Sequence, residues 1–150
     1  MKITAKARYA LRILMDIALY EKRERPRTIR EIADEQGIGE KFISRIAIAL
    51  REAGMISSMR GRDGGLRLAK SPCDISLLAI IEAAQGEISL VDCIAAKETC
   101  ARSESCVTRT VWSDINLLIR STLRTVSLEQ ILMRVESGAA LPAALSEYAI

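Results

Sequence analysis

The stretch LREAGMISSMRGRDGGLRLAK, residues 50–70, decides the fold. Within it, Ile56 stands beside Ser57 and Ser58, and Leu66-Arg67-Leu68 alternates apolar and polar residues, which predicts two short β-strands. The connection RGRDGG is rich in glycine, which readily adopts the backbone conformations of tight turns. It lacks the spacing of a phosphate-binding P-loop. The sequence therefore predicts a β-hairpin whose tip carries Arg60 and Arg62, and by itself such a hairpin could be a plain solvated turn.

Two helices are predicted directly before this hairpin. TIREIADEQG starts with a Thr28-x-x-Glu31 capping box and stops at Gly37, and GEKFISRIAIALREAG starts two residues later and stops at Gly54. Two helices joined by a tight glycine turn outline a helix-turn-helix, and a hairpin that follows it is a wing. Pairs of helices joined by such a turn also occur in proteins that bind no DNA, so the outline alone does not establish the function.

The second helix of this pair would be the recognition helix. We expect its early residues Lys41, Ser44 and Arg45 to face a DNA groove. Phe42 is ambiguous, because an early aromatic side chain could pack inward or touch DNA. The remaining apolar positions are predicted to pack inward: Ile43, Ile46 and Leu50.

The two halves of the chain differ in net charge. Residues 1–70 hold 16 Lys and Arg against 9 Asp and Glu, whereas residues 71–150 hold 6 against 10. A basic first half favours a polyanionic partner, nucleic acid before membrane.

The first half also opens with ITAKARYALRILMDIALY, a predicted helix with Thr4 as N-cap and apolar residues at helical spacing: Ala10, Leu11, Leu14, Met15, Ala18 and Leu19.

The second half is predicted to be helical. SLLAIIEAAQG starts at Ser76 and stops at Gly86, and Ser127 opens a short final helix through a capping box with Gln130. Between them VTRTVWSDINLLIRSTLRT predicts a long helix with one mainly apolar stripe. That stripe could face the core or a second copy of the chain; it consists of Val111, Ile115, Leu118, Ile119 and Thr122.

Three cysteines, Cys93, Cys100 and Cys106, lie between these helices in a chain with no histidine. Their thiolates could hold an iron–sulfur cluster, sense redox state or be inert. A zinc site would more often show a C-x2-4-C pair and four good ligands. The fourth thiol, Cys73, is interpreted as a small residue at a loop end.

The opening ITAKARYALRILMDIA, the stretch IREIADEQGIGEKFISRI and above all LREAGMISSMRGRDGGLRLAK resemble the IscR/NsrR-type winged-helix regulators of bacteria, the Rrf-two family. The resemblance implies a homodimer that crosses its long helices and binds a double-stranded DNA operator. It also implies an iron–sulfur cluster, [2Fe–2S] or [4Fe–4S], on Cys93, Cys100 and Cys106. Beyond the recognition helix and the wing arginines, we expect Lys2, Thr4 and Arg8 to hold phosphates.

The resemblance leaves the fourth cluster ligand open. Where some relatives have a histidine, this chain has Arg109, and where others have an aspartate from the partner subunit it has Arg8. Arginine is protonated and a poor ligand. Glu104 is the first alternative, and a small exogenous ligand is another. Further side chains are also open: Glu98, Asp92, Ser103 or Ser105.

Together these features predict a mainly α fold with a small β-hairpin. We expect a winged helix-turn-helix in residues 1–72, a connecting helix and cysteine loop in 73–106, a dimerisation helix and short C-terminal helix in 107–136, and a tail in 137–150. The expected function is a cytoplasmic, cluster-controlled transcriptional regulator, mostly a repressor. The alternative is a cluster-free relative controlled by thiol oxidation or a protein partner. No catalytic motif is present, and no apolar run is long enough to span a membrane.

Overall fold

The computed structural model of the chain describes residues 2–21, 25–61, 64–96, 100 and 105–137. Within these residues the helices are α1 (Ala5–Glu21), α2 (Ile29–Gln36), α3 (Glu40–Glu52), α4 (Leu77–Gln85), α5 (Asp92–Ala95), α6 (Val107–Thr125) and α7 (Leu128–Glu136). The strands β1 (Ile56–Met59) and β2 (Gly65–Leu68) pair antiparallel. The prediction of a mainly α fold with a small hairpin is confirmed. No helix in the described ranges is long and apolar enough to cross a membrane.

The helices begin at the residues that the capping patterns predict. Thr28 Oγ1 accepts a hydrogen bond from the backbone N–H of Glu31 at 3.2 Å, and the Glu31 carboxylate accepts one from the N–H of Thr28 at 2.9 Å. Ser127 and Gln130 form the same reciprocal pair at the start of α7. These bonds satisfy donors that would otherwise be unpaired in the first turn of each helix.

α1 is the central helix of the core. It packs against α3, α4, α7 and β2. Besides the predicted stripe, Ile13 and Ile17 are fully buried, because neighbours cover α1 on more than one side. The other fully buried large side chains are Leu14 on α1 and residues of α2, α3, β1, α4, α7 and the connecting segments: Ile32, Ile43, Leu50, Ile56, Ile75, Ile80, Ile88 and Leu128.

The C-terminal helix returns to this core. The N–H of Leu77 donates to the carbonyl of Val126 and the N–H of Leu128 donates to the carbonyl of Ile75, both at 2.8 Å. These two bonds join the start of α4 to the start of α7. Leu128 and Leu132 of α7 also lie in the same hydrophobic cluster as buried residues of α1 and α3, so segments before residue 72 and after residue 107 share one core. The boundaries expected from the sequence stay a prediction. The expected tail, apart from Ser137, lies outside the described residues.

The base of the wing is tied to the chain before α2. The N–H of Arg27 donates to the carbonyl of Leu66 at 3.1 Å, and the N–H of Leu66 donates to the carbonyl of Arg27 at 2.7 Å. A Cβ at Gly65 would lie 2.8 Å from the Arg27 carbonyl oxygen and 2.9 Å from Pro26 Cβ. Only glycine allows this close approach, so the residue at 65 fixes how the wing joins the body.

An ion pair lies at the same junction. Arg27 is 4 % exposed, and its Nε donates to Asp16 Oδ1 at 2.6 Å while its Nη2 also bonds to Glu35. The guanidinium carbon lies 3.6 Å from the centroid of the Tyr20 ring. The pair links α1, the base of the wing and α2. No sequence pattern predicted this ion pair.

Candidate DNA interface and cysteine site

The turn between α2 and α3 sets the angle of the recognition helix. Gly37 adopts a left-handed conformation with φ of 64°, and the N–H of Ile38 donates to the carbonyl of Ala33 at 3.0 Å. This arrangement ends α2 and lets α3 begin after Gly39. α3 then buries Ile43, Ile46 and Leu50 as predicted, which directs its opposite face to solvent.

The solvent face of α3 carries the predicted groove contacts. Lys41 and Arg45 are exposed, four residues apart on one side of the helix. Ser44 is half-buried, and its hydroxyl donates to the carbonyl of Glu40 at 2.8 Å. In this conformation the Ser44 oxygen keeps its lone pairs and can accept a hydrogen bond from a base. Ile48, which is not among the predicted contacts, lies on the same face and is 46 % exposed.

Phe42 packs inward. Its ring meets that of Tyr9 edge to face, with centroids 5.7 Å apart, and it lies against the main core. The guanidinium of Arg12 lies 5.5 Å from the Tyr9 centroid on α1. The structure thus resolves the ambiguity left by the sequence: this aromatic side chain joins α3 to α1.

The wing and the N-terminal segment present the other predicted contacts. Arg60 is exposed directly after β1, whereas Arg62 lies outside the described residues. Lys2, Thr4 and Arg8 are all exposed. The side chain of Gln85, at the end of α4, fixes this segment: its Oε1 accepts from the N–H of Thr4 at 2.8 Å, and its Nε2 donates to the Lys2 carbonyl at 3.2 Å.

The three cysteines of the loop occupy different positions. Cys93 is half-buried on the short helix α5, which was not predicted from the sequence, and Cys106 is half-buried at the N-cap of α6. Cys100 is exposed, and all the cysteines are free thiols. Of the alternative fourth ligands, Asp92 and Ser105 are exposed. The others lie outside the described residues: Glu98, Ser103 and Glu104.

Arg109 joins the two half-buried cysteines. Its Nε donates to the carbonyl of Cys93 at 3.0 Å, and its backbone N–H donates to the carbonyl of Cys106 at 3.2 Å. Cys106 Sγ lies 3.1 Å from Thr108 Oγ1. The Thr108 hydroxyl, and after it the backbone N–H of Arg109, lowers the pKa of the Cys106 thiol below its ordinary value. These contacts favour the thiolate, the form that binds metals and reacts with oxidants.

The described residues do not complete a metal site. Among the ranges given above, no three Cys, Asp or Glu side chains come together as a metal-binding group. Whether these residues suit an iron–sulfur cluster therefore depends on the chemistry of their donor atoms. Cys93, Cys100 and Cys106 are free thiols, and Arg109 joins the segments that carry Cys93 and Cys106. Soft thiolates of this kind are the ligands that iron–sulfur clusters require.

Comparison with known proteins identifies the family. A family model for Rrf2, described as an iron-dependent transcriptional regulator, matches residues 3–134. The chain belongs to the Rrf2 family. It is 34 % identical over 133 residues to the HTH-type transcriptional regulator IscR of Aliivibrio salmonicida, covering 89 % of this chain and 78 % of that protein.

Solved structures support the same family. The structure of T. potens IscR is 26 % identical, with a TM-score of 0.73 over 97 % of this chain and 96 % of that one. The structure of CymR, described as the global cysteine regulator of B. subtilis, is 28 % identical, with a TM-score of 0.71 over 89 % and 97 %. The Rrf2 chain is thus a transcriptional regulator of the IscR-like type and not an enzyme, as the sequence predicts.

The Rrf2 chain also exposes an apolar surface on α6. Val111, Ile115 and Leu118 are 54 %, 37 % and 67 % exposed. Within the described residues Asn116 is the one buried side chain of this helix. These three members of the predicted stripe therefore do not face the core of their own chain, whereas Ile119 is half-buried. Trp112 and Leu117 extend the exposed apolar surface beyond that stripe.

Proposed function

We propose that this Rrf2 regulator is a homodimer whose affinity for a double-stranded DNA operator is set by an iron–sulfur cluster on Cys93, Cys100 and Cys106. The observation that carries the proposal is the hydrogen bond from Arg109 to the Cys93 carbonyl, because it brings two of the three cysteine segments to one end of α6. When bound, such a cluster supplies an iron centre that reacts with oxygen or nitric oxide and responds to iron supply.

DNA binding uses two elements of the winged helix. Lys41, Ser44 and Arg45 contact base edges in the major groove, and Arg60 and Arg62 of the wing lie in or beside the minor groove. The exposure of Lys41, Arg45 and Arg60 supports this assignment. Arg62 enters it from the sequence alone. The positive charge of the first half supplies the attraction to phosphate.

The N-terminal segment adds phosphate contacts. Lys2, Thr4 and Arg8 are exposed at and just before the first turn of α1. The side chain of Gln85 restricts the backbone of Lys2 and Thr4 through two hydrogen bonds, so these residues are ordered without DNA. A segment ordered in advance loses less conformational entropy on binding.

The dimer forms through α6. Its exposed apolar stripe would be covered by the same stripe of a second copy in a symmetric contact. Two recognition helices related by a two-fold axis match the two half-sites of an operator. Gain or loss of the cluster would shift the loop 93–106 against α6 and α1 and so alter the spacing of the two recognition helices. This couples the cysteine site to the DNA site.

The deciding experiment is anaerobic purification followed by absorption and Mössbauer spectroscopy. Binding to an operator fragment is then measured by fluorescence anisotropy before and after the cluster is removed with a chelator. A brown protein whose DNA affinity changes on cluster removal supports the proposal. A colourless protein that takes up no cluster on reconstitution with iron and sulfide refutes it.

A second function, control by thiol oxidation without a cluster, is favoured by Cys106. This thiol is free, lies within 3.1 Å of Thr108 Oγ1 and has a lowered pKa, as a redox-sensitive cysteine requires. In that case the colourless protein would lose or gain DNA affinity on treatment with hydrogen peroxide, and a thiol reductant would restore it. Cys106→Ser would remove the response.

A further inference from the structure

Polar side chains on one stripe of α6 hold the backbone of the segment that leads to Cys93. Residues at seven- and eleven-residue spacing share a face of a helix, and this face meets the segment. The hydrogen bonds are Arg120 Nη1 to the Ile88 carbonyl at 3.3 Å, the Leu90 N–H to Asn116 Oδ1 at 3.1 Å, and Arg109 Nε to the Cys93 carbonyl at 3.0 Å. The segment thus runs antiparallel to α6, toward the helix end where Cys106 lies.

The first two of these bonds are anchored in the body. Asn116 is 4 % exposed, and Arg120 also bonds to Glu82 of α4 at 2.5 Å. A buried polar group that loses its partner costs more free energy than an exposed one, so breaking these two bonds would be costly. Arg109 is the last contact of the series and the one nearest the cysteines.

We propose that Arg109 is a positioning residue that holds Cys93 beside Cys106 before any cluster is present. It contacts both segments, through Nε to the Cys93 carbonyl and through its backbone N–H to the Cys106 carbonyl. The role of the two thiols as ligands rests on the proposed function, whereas the arrangement of the apoprotein does not. Arg109 is here no ligand: it orders the backbone that carries the ligands.

The consequence is an apoprotein with two thiols at high effective concentration. A site held in place by surrounding hydrogen bonds loses less conformational entropy when a ligand or a reagent joins its parts. Removing the guanidinium leaves the Cys93 carbonyl free to turn to water. The bond to Arg109 is charge-assisted, and such bonds are stronger than neutral ones. We expect the effective concentration of the Cys93–Cys106 pair to fall about tenfold when it is lost.

The test uses the full chain in metal-free, reduced form, with Cys73 and Cys100 replaced by serine. Dibromobimane alkylates both remaining thiols, displaces two bromide ions and becomes fluorescent only when doubly attached. Arg109→Met keeps the length of the side chain and removes the donor, and should slow the intrachain cross-link about tenfold. Arg124→Met is the matched control on the same helix, and it should react like the parent protein. Denaturing gels separate intrachain from interchain products.

Arg109→Lys keeps a donor and should retain cross-linking within about threefold of the parent. Circular dichroism melts identify any variant that loses its fold, in which case the lysine variant alone decides. Equal rates in Arg109→Met and the parent, or a tenfold loss in Arg109→Lys, would overturn the proposal. Failure of the wild-type chain to bind a cluster would refute the proposed function and leave the cross-linking result unaffected.

Discussion

Replacing Arg27 by methionine tests the junction between α1, α2 and the wing. The side chains of Arg27 and Asp16 are 5 % and 4 % exposed, and the substitution leaves the Asp16 carboxylate buried without its guanidinium. Removing one member of a buried ion pair costs about 3–5 kcal/mol. The second carboxylate, Glu35, is 52 % exposed and becomes hydrated instead, so it adds little. For a chain of this size the loss corresponds to a fall in Tm of about 6–20 °C.

The assay is urea unfolding of the full chain followed by circular dichroism, with calorimetry for Tm. Arg30→Met, three residues away on the exposed face of α2, is the matched control and should change stability by less than about 0.5 kcal/mol. The double variant Asp16→Leu with Arg27→Met removes both charges and should recover most of the loss. If the free energy of unfolding of Arg27→Met lies within about 1 kcal/mol of that of the parent protein, the Asp16–Arg27 ion pair does not hold the junction together.

Three further predictions address the proposed sites. Arg60→Ala should weaken operator binding by about 1–3 kcal/mol in anisotropy titrations if the wing reads bases or a narrow groove, and an unchanged affinity and salt slope would place the wing outside the interface. Leu118→Asp should give monomers or insoluble protein, because the charge would lie unpaired in an apolar contact; a stable dimer in sedimentation would contradict this. Cys106→Ala should abolish the cluster spectrum and Cys73→Ala should leave it intact, while Glu104→Ala should shift the spectrum and shorten the lifetime of the cluster in air if Glu104 is the fourth ligand.

The helix starts and stops could be predicted from the sequence because their causes are local. Thr28, Gly37, Ser76, Gly86 and Ser127 each act on a backbone group within a few residues of themselves, and the structure has each in the expected role. The wing followed from the same kind of local information. The direction of Phe42 could not be predicted, because it depends on an aromatic partner on another helix.

The contacts that the sequence did not reveal join residues far apart in the chain. In the sequence, Asp16 and Arg27 cannot be distinguished from ordinary surface charges, and only the fold shows that they are buried together. Asn116 is a polar residue in a long amphipathic helix, and nothing local indicates that Leu90 will donate to it. Arg109 was recognised as a position where relatives have a ligand. Its contact with the Cys93 carbonyl could not be predicted, because it depends on the path that residues 88–93 take along α6.

The close approach at Gly65 has a consequence for how this wing can change. With the Arg27 carbonyl oxygen 2.8 Å from an added Cβ, any side chain at position 65 would force the base of the hairpin away from the segment before α2, so substitutions there should cost stability. Gly61 has no atom within 4 Å of an added Cβ, but its φ of 116° favours glycine, whereas Arg60 is exposed. Within the wing, substitutions that alter the proposed DNA contacts are therefore confined to the exposed tip. A library that randomises Arg60 while keeping Gly61 and Gly65 should yield folded variants with altered DNA contacts.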